Sequence, residues 1–244
     1  MVACFDFIGV DFLDLNDILS RAWDFTVKLT RDIGNLIILF VLNLIPIVDL
    51  VFVGYCARII RLGDSIDEPP RMTGFWDAFV DGLKVFFAAL IYAFIPLLIV
   101  GVSLFPLVFR RGMVIWQRFP LQVFFIGVAL WGSLLATVIG FLLFIVGAMG
   151  IIHMIKTGSF AKAFAVTEIL SLIGEVGWGR YLGWLIVMYI LSLVVASLNS
   201  IHWIVFAIAS VFYAVFVARS AHYIYPRRSE LVGNPLGRLE VAYE

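Results

Sequence analysis

Asn43, Pro46 and Asp49 form the most polar group inside an otherwise apolar segment of the sequence. Polar and ionisable groups are costly in a bilayer and often mark the path of an ion or a substrate. The alternative is structural: Asn43 would bond to a neighbouring helix or to a carbonyl freed by Pro46, and Asp49 would reach the interface. We favour the structural role and keep the three residues as the candidate intramembrane polar site.

A second candidate site lies at the end of the last apolar segment, where aromatic and basic residues meet. Aromatic rings and cations at this position are typical of a membrane interface, and they suit contact with a phospholipid headgroup. The candidate headgroup residues are His222, Tyr223, Arg227 and Arg228.

The sequence contains none of the motifs that position nucleophiles, phosphates or zinc. Its two cysteines, Cys4 and Cys56, are far apart and do not form a metal-binding pair. His153 and His202 are expected on opposite sides of the membrane, which argues against a shared metal site. We therefore predict a protein that is not an enzyme, with no cofactor and no metal.

The amino-acid composition indicates whether these residues belong to a soluble protein or to a membrane protein. Hydrophobic residues make up 63% of the 244 and charged residues 14%, and the mean hydropathy is +1.08. A soluble domain of this length usually carries about a quarter charged residues and could not bury so much apolar surface. The formal net charge of zero gives no field that favours nucleic acid. The sequence predicts an all-α integral membrane protein, with the lipid bilayer as its surroundings.

Crossing about 30 Å of hydrocarbon takes roughly 20 apolar residues. The apolar stretches predict about five transmembrane helices, or six if a broken segment forms a hairpin. They lie near residues 33–54, 83–109, 121–155, 181–198 and 201–224. They make residues 1–225 a single transmembrane domain, followed by a polar tail at 226–244.

Two of these segments leave alternatives open. Segment 33–54 either bends at Pro46 and spans, or turns back as a re-entrant segment. The second alternative would put the N-terminus on the same side as the basic linkers at 55–82 and 156–180. Segment 121–155 is too long for one upright helix and short for two crossings. It is either one tilted or protruding helix, the simpler interpretation, or a tight hairpin.

Three stretches have an apolar, aromatic side opposite a charged side, near residues 14–31, 73–84 and 159–175. This pattern is typical of helices that lie along the headgroup boundary. We predict that they are amphipathic elbow helices leading into the spans.

Two spans carry small residues four positions apart, which lets helices approach closely. Most such patterns serve packing within one chain, and between copies they would make a dimer. The candidate helix-packing residues are Gly132, Ala136, Gly140, Ser210, Ala214 and Ala218.

A series of short motifs resembles a family of prokaryotic membrane proteins known as domain of unknown function 4013. The motifs are Ile45-Pro46-Ile47, Gly54-Tyr55-x-x-Arg58-Ile59-x-Arg61, Glu68-Pro69-Pro70, Phe79-x-Asp81-Gly82-Leu83-Lys84 and Gly158-Ser159-Phe160 with Ala163-Phe164. The resemblance implies a multi-pass protein of the cytoplasmic membrane of a bacterium or archaeon, and it brings no catalytic residues.

Two functions follow as expectations. The first is a non-enzymatic structural or accessory subunit that packs with other membrane proteins or with itself. The second is a small transporter or lipid-handling protein that uses the broken first span.

Overall fold

A computed structural model describes residues 3–108 and 119–226, with side chains from residue 15 to 105 and from 123 to 226. Eight α-helices account for most of this part of the chain. They are α1 (Ala3–Val27), α2 (Ile33–Leu44), α3 (Asp49–Leu62), α4 (Phe75–Val108), α5 (Phe119–Thr157), α6 (Val166–Val176), α7 (Trp178–Ser197) and α8 (Trp203–Ile224). Short 3-10 helices at Lys28–Arg31, Gly63–Ser65, Phe160–Phe164 and Leu198–Ser200 join several of them.

The all-α, membrane-type architecture predicted from the sequence is confirmed. In the described residues four helical stretches are long and apolar enough to cross a membrane: Phe75–Phe105, Val123–Thr157, Trp178–Ser200 and Trp203–Ile224. The protein is therefore a multi-pass membrane protein, and its described part contains four such stretches where about five were expected.

The missing span is segment 33–54, which forms two helices instead of one. α2 has 12 residues and measures about 18 Å, too short for the hydrocarbon. The chain leaves the helix at Ile45, and Ile47 has φ 75°, a strained conformation for a β-branched residue. α3 then runs back toward the level at which α2 began. Together α2 and α3 form a re-entrant hairpin, one of the two alternatives left open by the sequence.

Polar contacts hold both ends of this hairpin at one face of the molecule. The Asp32 carboxylate accepts a bond of 3.1 Å from the N–H of Asn35 and begins α2. The buried Asn35 amide donates to the Pro70 carbonyl at 3.2 Å, and the Tyr55 hydroxyl donates to the same oxygen at 2.9 Å. Arg31 pairs with Glu68, so the chain before the hairpin and the linker after it meet. The N-terminal segment therefore lies at the same face of the molecule as the linker between α3 and α4.

α4 and α5 form a long antiparallel pair. With 34 and 39 residues they measure about 51 and 58 Å, more than the hydrocarbon thickness. Segment 121–155 is therefore one long helix and the hairpin alternative is wrong. The predicted elbow at 73–84 is the first part of α4 itself, because no helix-breaking residue separates it from the span. Segments 181–198 and 201–224 form the expected antiparallel pair, α7 and α8.

The other two predicted amphipathic stretches lie at the same face. α1 buries Ala22, Phe25 and Thr26, whereas Asp17 and Arg21 are exposed and paired with each other. The stretch at 159–175 becomes a 3-10 helix at Phe160–Phe164 followed by α6. The largest buried side chains, such as Tyr55, Tyr181 and Met149, lie where these elements meet the ends of α3, α5, α7 and α8.

Candidate functional site

A cluster of charged and polar side chains, which we call the polar cluster, joins the ends of α5 and α8. One part of it is centred on His222, which is buried and only 6% exposed. The Lys156 ammonium donates to Nδ1 of His222 at 2.6 Å, and Nε2 lies 3.2 Å from the Asp64 carboxylate. This arrangement fits a ring whose proton is on Nε2 and faces the acid. His222 thus connects α8 to α5 and to the turn after α3.

The other part of the polar cluster is centred on His153, which is also only 6% exposed. Its Nδ1 lies 2.8 Å from the hydroxyl of Tyr225, and its Nε2 lies 3.1 Å from the carboxylate of Glu168. Lys162 donates to both oxygens of the same carboxylate at 2.6 Å. Glu168 therefore attaches α6 to the buried end of α5.

The hydrogen-bond partners of Glu168 change the acidity of its carboxyl group. The hydrogen bond from Lys162 and then that from His153 lower the pKa of Glu168 below the ordinary value of 4.5. A carboxyl group whose pKa is lowered by folding stabilises the folded state above its unfolded pKa. This contribution is lost as the pH falls through the lower, folded pKa.

We expect acid to weaken the attachment of α6. Lowering the pH from 7 through the folded pKa of Glu168, which lies below 4.5, protonates this carboxyl group and should reduce the thermal unfolding temperature of the detergent-solubilised protein. Glu168→Gln should be less stable at pH 7 and should lose less on acidification. Asp17→Asn, which changes an exposed pair within α1, is the matched control and should keep the wild-type acid response. An equal acid response in Glu168→Gln would contradict the prediction.

Arg219 extends the polar cluster toward α1. Its guanidinium lies between the rings of Phe25 and Tyr223, with 4.4 and 4.8 Å from Cζ to the ring centroids. One Nη donates to the Gly63 carbonyl at 2.5 Å. Among the described residues no carboxylate pairs with it, and its buried Nε–H has no acceptor. The two rings and the Gly63 carbonyl are therefore the contacts that stabilise this buried cation.

A second polar region lies between α3 and the start of α4, and we call it the charged cavity. It has a volume of about 500 Å³, and its polar lining includes Arg58, Arg61, Thr73, Asp77 and Asp81. Arg61 pairs with Asp81 at 2.9 Å, and Lys84 reaches the same carboxylate at 3.1 Å. The charged cavity thus has both signs of charge on its walls.

An apolar groove of about 450 Å³ follows the contact between α4 and α5. Small residues contribute much of its lining, among them Ala89, Ala93, Gly140, Gly147 and Ala148. The hydroxyl of Tyr92, which also lines the groove, donates to the Ala163 carbonyl at 2.5 Å. The groove therefore suits an apolar occupant.

The candidate intramembrane site is at the tip of the re-entrant hairpin. The amide of Asn43 donates to the Ser210 hydroxyl at 2.8 Å and to the Ala207 carbonyl at 3.4 Å. Pro46 is exposed in the turn, and the half-buried Asp49 begins α3. The amide of Asn43 is thus used to attach the hairpin to α8.

The candidate helix-packing residues lie on two different contacts. A Cβ on Gly132 would meet the Ser103 side chain at 1.8 Å, and one on Gly140 would meet Pro96 at 3.4 Å. Ala136 and Ala218 are buried, and Ser210 accepts the bond from Asn43. Ala214 is partly buried against the core. Both stripes therefore pack within this chain, and their use between copies stays a prediction.

The candidate headgroup set is divided by the structure. His222 is inside the polar cluster, and Tyr223 stacks on Arg219, so both have partners within the protein. Arg227 and Arg228 are outside the described residues, as is the polar tail after Pro226.

Sequence reasoning missed Asn35, Tyr55 and Arg219, and it considered His153 as a histidine expected on the opposite side of the membrane from His202. Arg219 carried the clearest signal, because a cation inside an apolar helix of 22 residues needs a partner in the protein. The contacts of His153 and Asn35 depend on residues distant in sequence, and no local pattern marks them. In the described part of the chain no group of three or more His, Cys, Asp or Glu side chains is placed to hold a metal ion.

A family model described as "Protein of unknown function (DUF4013)" matches residues 36–218. The chain belongs to this family. The DUF4013 match covers the re-entrant hairpin from its second turn, the charged cavity and the apolar groove, and it ends one residue before Arg219. No curated protein and no solved structure matches the chain.

Proposed function

We propose that this DUF4013 protein is a non-enzymatic membrane subunit whose α4–α5 pair packs against a transmembrane helix of another membrane protein or of a second copy. The observation that supports the proposal is the apolar groove along this pair, whose lining residues all belong to α4 and α5 and are in large part small. Only 6% of the residues in the most apolar stretch of α4 are buried, compared with 44% for α8.

The chemistry of the groove favours a helix as its occupant. Transmembrane helices gain little from the hydrophobic effect when they associate, so they depend on close packing at small residues. Ala89, Ala93, Gly140 and Gly147 keep the floor of the groove low, and Phe144 stands at its side with 52% of its side chain exposed. A helix laid between such residues would make many contacts without moving the backbone of α4 or α5.

The alternative function, a transporter or lipid-handling protein that uses the broken first span, has less support. Asn43, its main polar group, is bonded to Ser210 and Ala207. The family resemblance supports a location in the cytoplasmic membrane of a bacterium or archaeon, with basic linkers inside.

Photo-crosslinking in native membranes tests the packing function. In the test variant a crosslinking amino acid replaces Phe144, which lines the groove. In the comparison variant it replaces Leu98, which is exposed and lies outside the groove. We expect protein adducts from position 144, and their mass separates a second copy from another protein. Gly140→Leu should fill the groove and abolish these adducts. Gly101→Leu should keep them, because nothing lies within 4 Å of its Cβ. Adducts with lipid alone from position 144 would overturn the proposal.

A further inference from the structure

Arg58 brings unused hydrogen-bond donors to the charged cavity. One of its Nη atoms donates to the carbonyl of Thr73 at 3.0 Å and to the Thr73 hydroxyl at 3.1 Å. Within the described residues its Nε and other Nη have no acceptor. The Thr73 hydroxyl accepts from Arg58 and so keeps its own hydrogen for a further acceptor. Guanidinium and hydroxyl donors side by side suit the oxygens of a phosphate.

Asp77 supplies the opposite charge on the wall of the same cavity. Its side chain is exposed, and no hydrogen bond or ion pair to it exists among the described residues. The other acid of the cavity, Asp81, is already shared by Arg61 and Lys84. Arg58 and Asp77 are therefore the cation and the anion that remain for a ligand carrying both charges.

The charged cavity is at the depth of lipid headgroups. Lys84 is the last charged residue of α4, and the 24 residues after it in that helix are uncharged. Phe75 and Trp76, at the turn that bounds the cavity, are 50% and 74% exposed. Exposed aromatic rings at the point where charges end are typical of the membrane interface.

We infer that the charged cavity binds the headgroup of an amine-bearing phospholipid. The phosphate accepts from Arg58 and Thr73, and the ammonium pairs with Asp77. The exposed apolar side chains of α4 that follow Lys84, beginning with Phe86 and Phe87, then face the acyl chains. The volume of about 500 Å³ is ample for a phosphoethanolamine group.

Native mass spectrometry of the purified full chain tests this inference. The protein is titrated with phosphatidylethanolamine or phosphatidylglycerol of identical acyl chains, and the retained lipid is counted. We expect wild type to retain phosphatidylethanolamine better. Arg58→Gln should weaken retention of both lipids by about tenfold, the loss typical of a charge-assisted hydrogen bond. Arg21→Gln, which breaks an exposed pair on α1, is the matched control and should bind as wild type does.

Asp77→Asn separates the site from a general effect on folding, because the exposed Asp77 side chain makes no hydrogen bond or ion pair with the described residues. This variant should retain both lipids equally. An unchanged preference for phosphatidylethanolamine in Asp77→Asn, or wild-type binding by Arg58→Gln, would overturn the inference. Free glycerophosphoethanolamine in millimolar excess should leave the lipid bound. Full displacement would instead identify a soluble phosphate ester as the ligand and would also overturn the assignment.

Discussion

Gly54→Ala is expected to force α3 away from α4 and to destabilise the folded protein by about 3 kcal/mol or more, the upper range for overpacking. A Cβ at residue 54 would lie 1.7 Å from the carbonyl oxygen of Ala78. That oxygen belongs to the backbone of α4, so no side-chain rotation can relieve the clash.

The same contact exists in the reverse direction. A Cβ on Gly82 would lie 1.8 Å from the carbonyl oxygen of Leu50. Gly54 and Gly82 therefore let two backbones touch, and Gly82→Ala should have an effect similar to that of Gly54→Ala. The re-entrant hairpin depends on this contact, because α3 is its returning half.

Thermal unfolding in detergent measures the effect, with the helix content at low temperature as a check of folding. Gly101→Ala and Gly127→Ala are the controls, because nothing lies within 4 Å of a Cβ at either position. They should be neutral or slightly stabilising, since alanine favours a helix. A variant at Gly54 as stable as these controls would contradict the close approach.

Arg219→Lys is expected to cost about 2 kcal/mol although it keeps the charge, because an ammonium cannot stack between two rings. The substitution would also weaken the bond to the Gly63 carbonyl. Phe25 on α1 would lose its contact with the guanidinium on α8. We therefore expect α1 to separate from α8 before the other helices unfold.

The thermal unfolding temperature and the rate of protease cleavage within α1 measure this effect. Arg71→Lys is the control, because the side chain of Arg71 is 84% exposed in its pair with Asp32 and such pairs contribute little. Faster cleavage of α1 in Arg219→Lys, with no change in Arg71→Lys, is the expected result. Equal cleavage of both variants and wild type would show that the rings do not hold α1.

The membrane character and most helix positions were predictable because they depend on local composition. A run such as 121–155 has to be helical in lipid, since each backbone group needs a partner within its own segment. The break at Pro46 was equally visible. Its outcome as a re-entrant hairpin was left open, because Gly54 against Ala78 and Asn43 against Ser210 are contacts between distant residues.

The candidate site was less predictable for the same reason. The sequence marked Asn43 as a polar residue in an apolar segment and His222 as part of the aromatic and basic end of the last span, and both carry specific contacts. It gave no means to pair His153 with Glu168 or to place Arg58 beside Thr73. The spacing marks the small-residue stripe at Gly132, whereas the closer backbone approach of Gly54 and Gly82 was missed. The sequence did carry a signal for it, because Gly74, Ala78 and Gly82 are also small residues four positions apart.

The bond between Asn43 and Ser210 also determines the order in which the molecule can be completed. The two residues are 167 positions apart, so a ribosome makes α2 and α3 long before α8 exists. Until then the tip of the hairpin has no amide acceptor on a neighbouring helix, and a polar group in that state resists entry into lipid. We therefore expect α2 and α3, although they are made before α8, to reach their final depth only once α8 is in place.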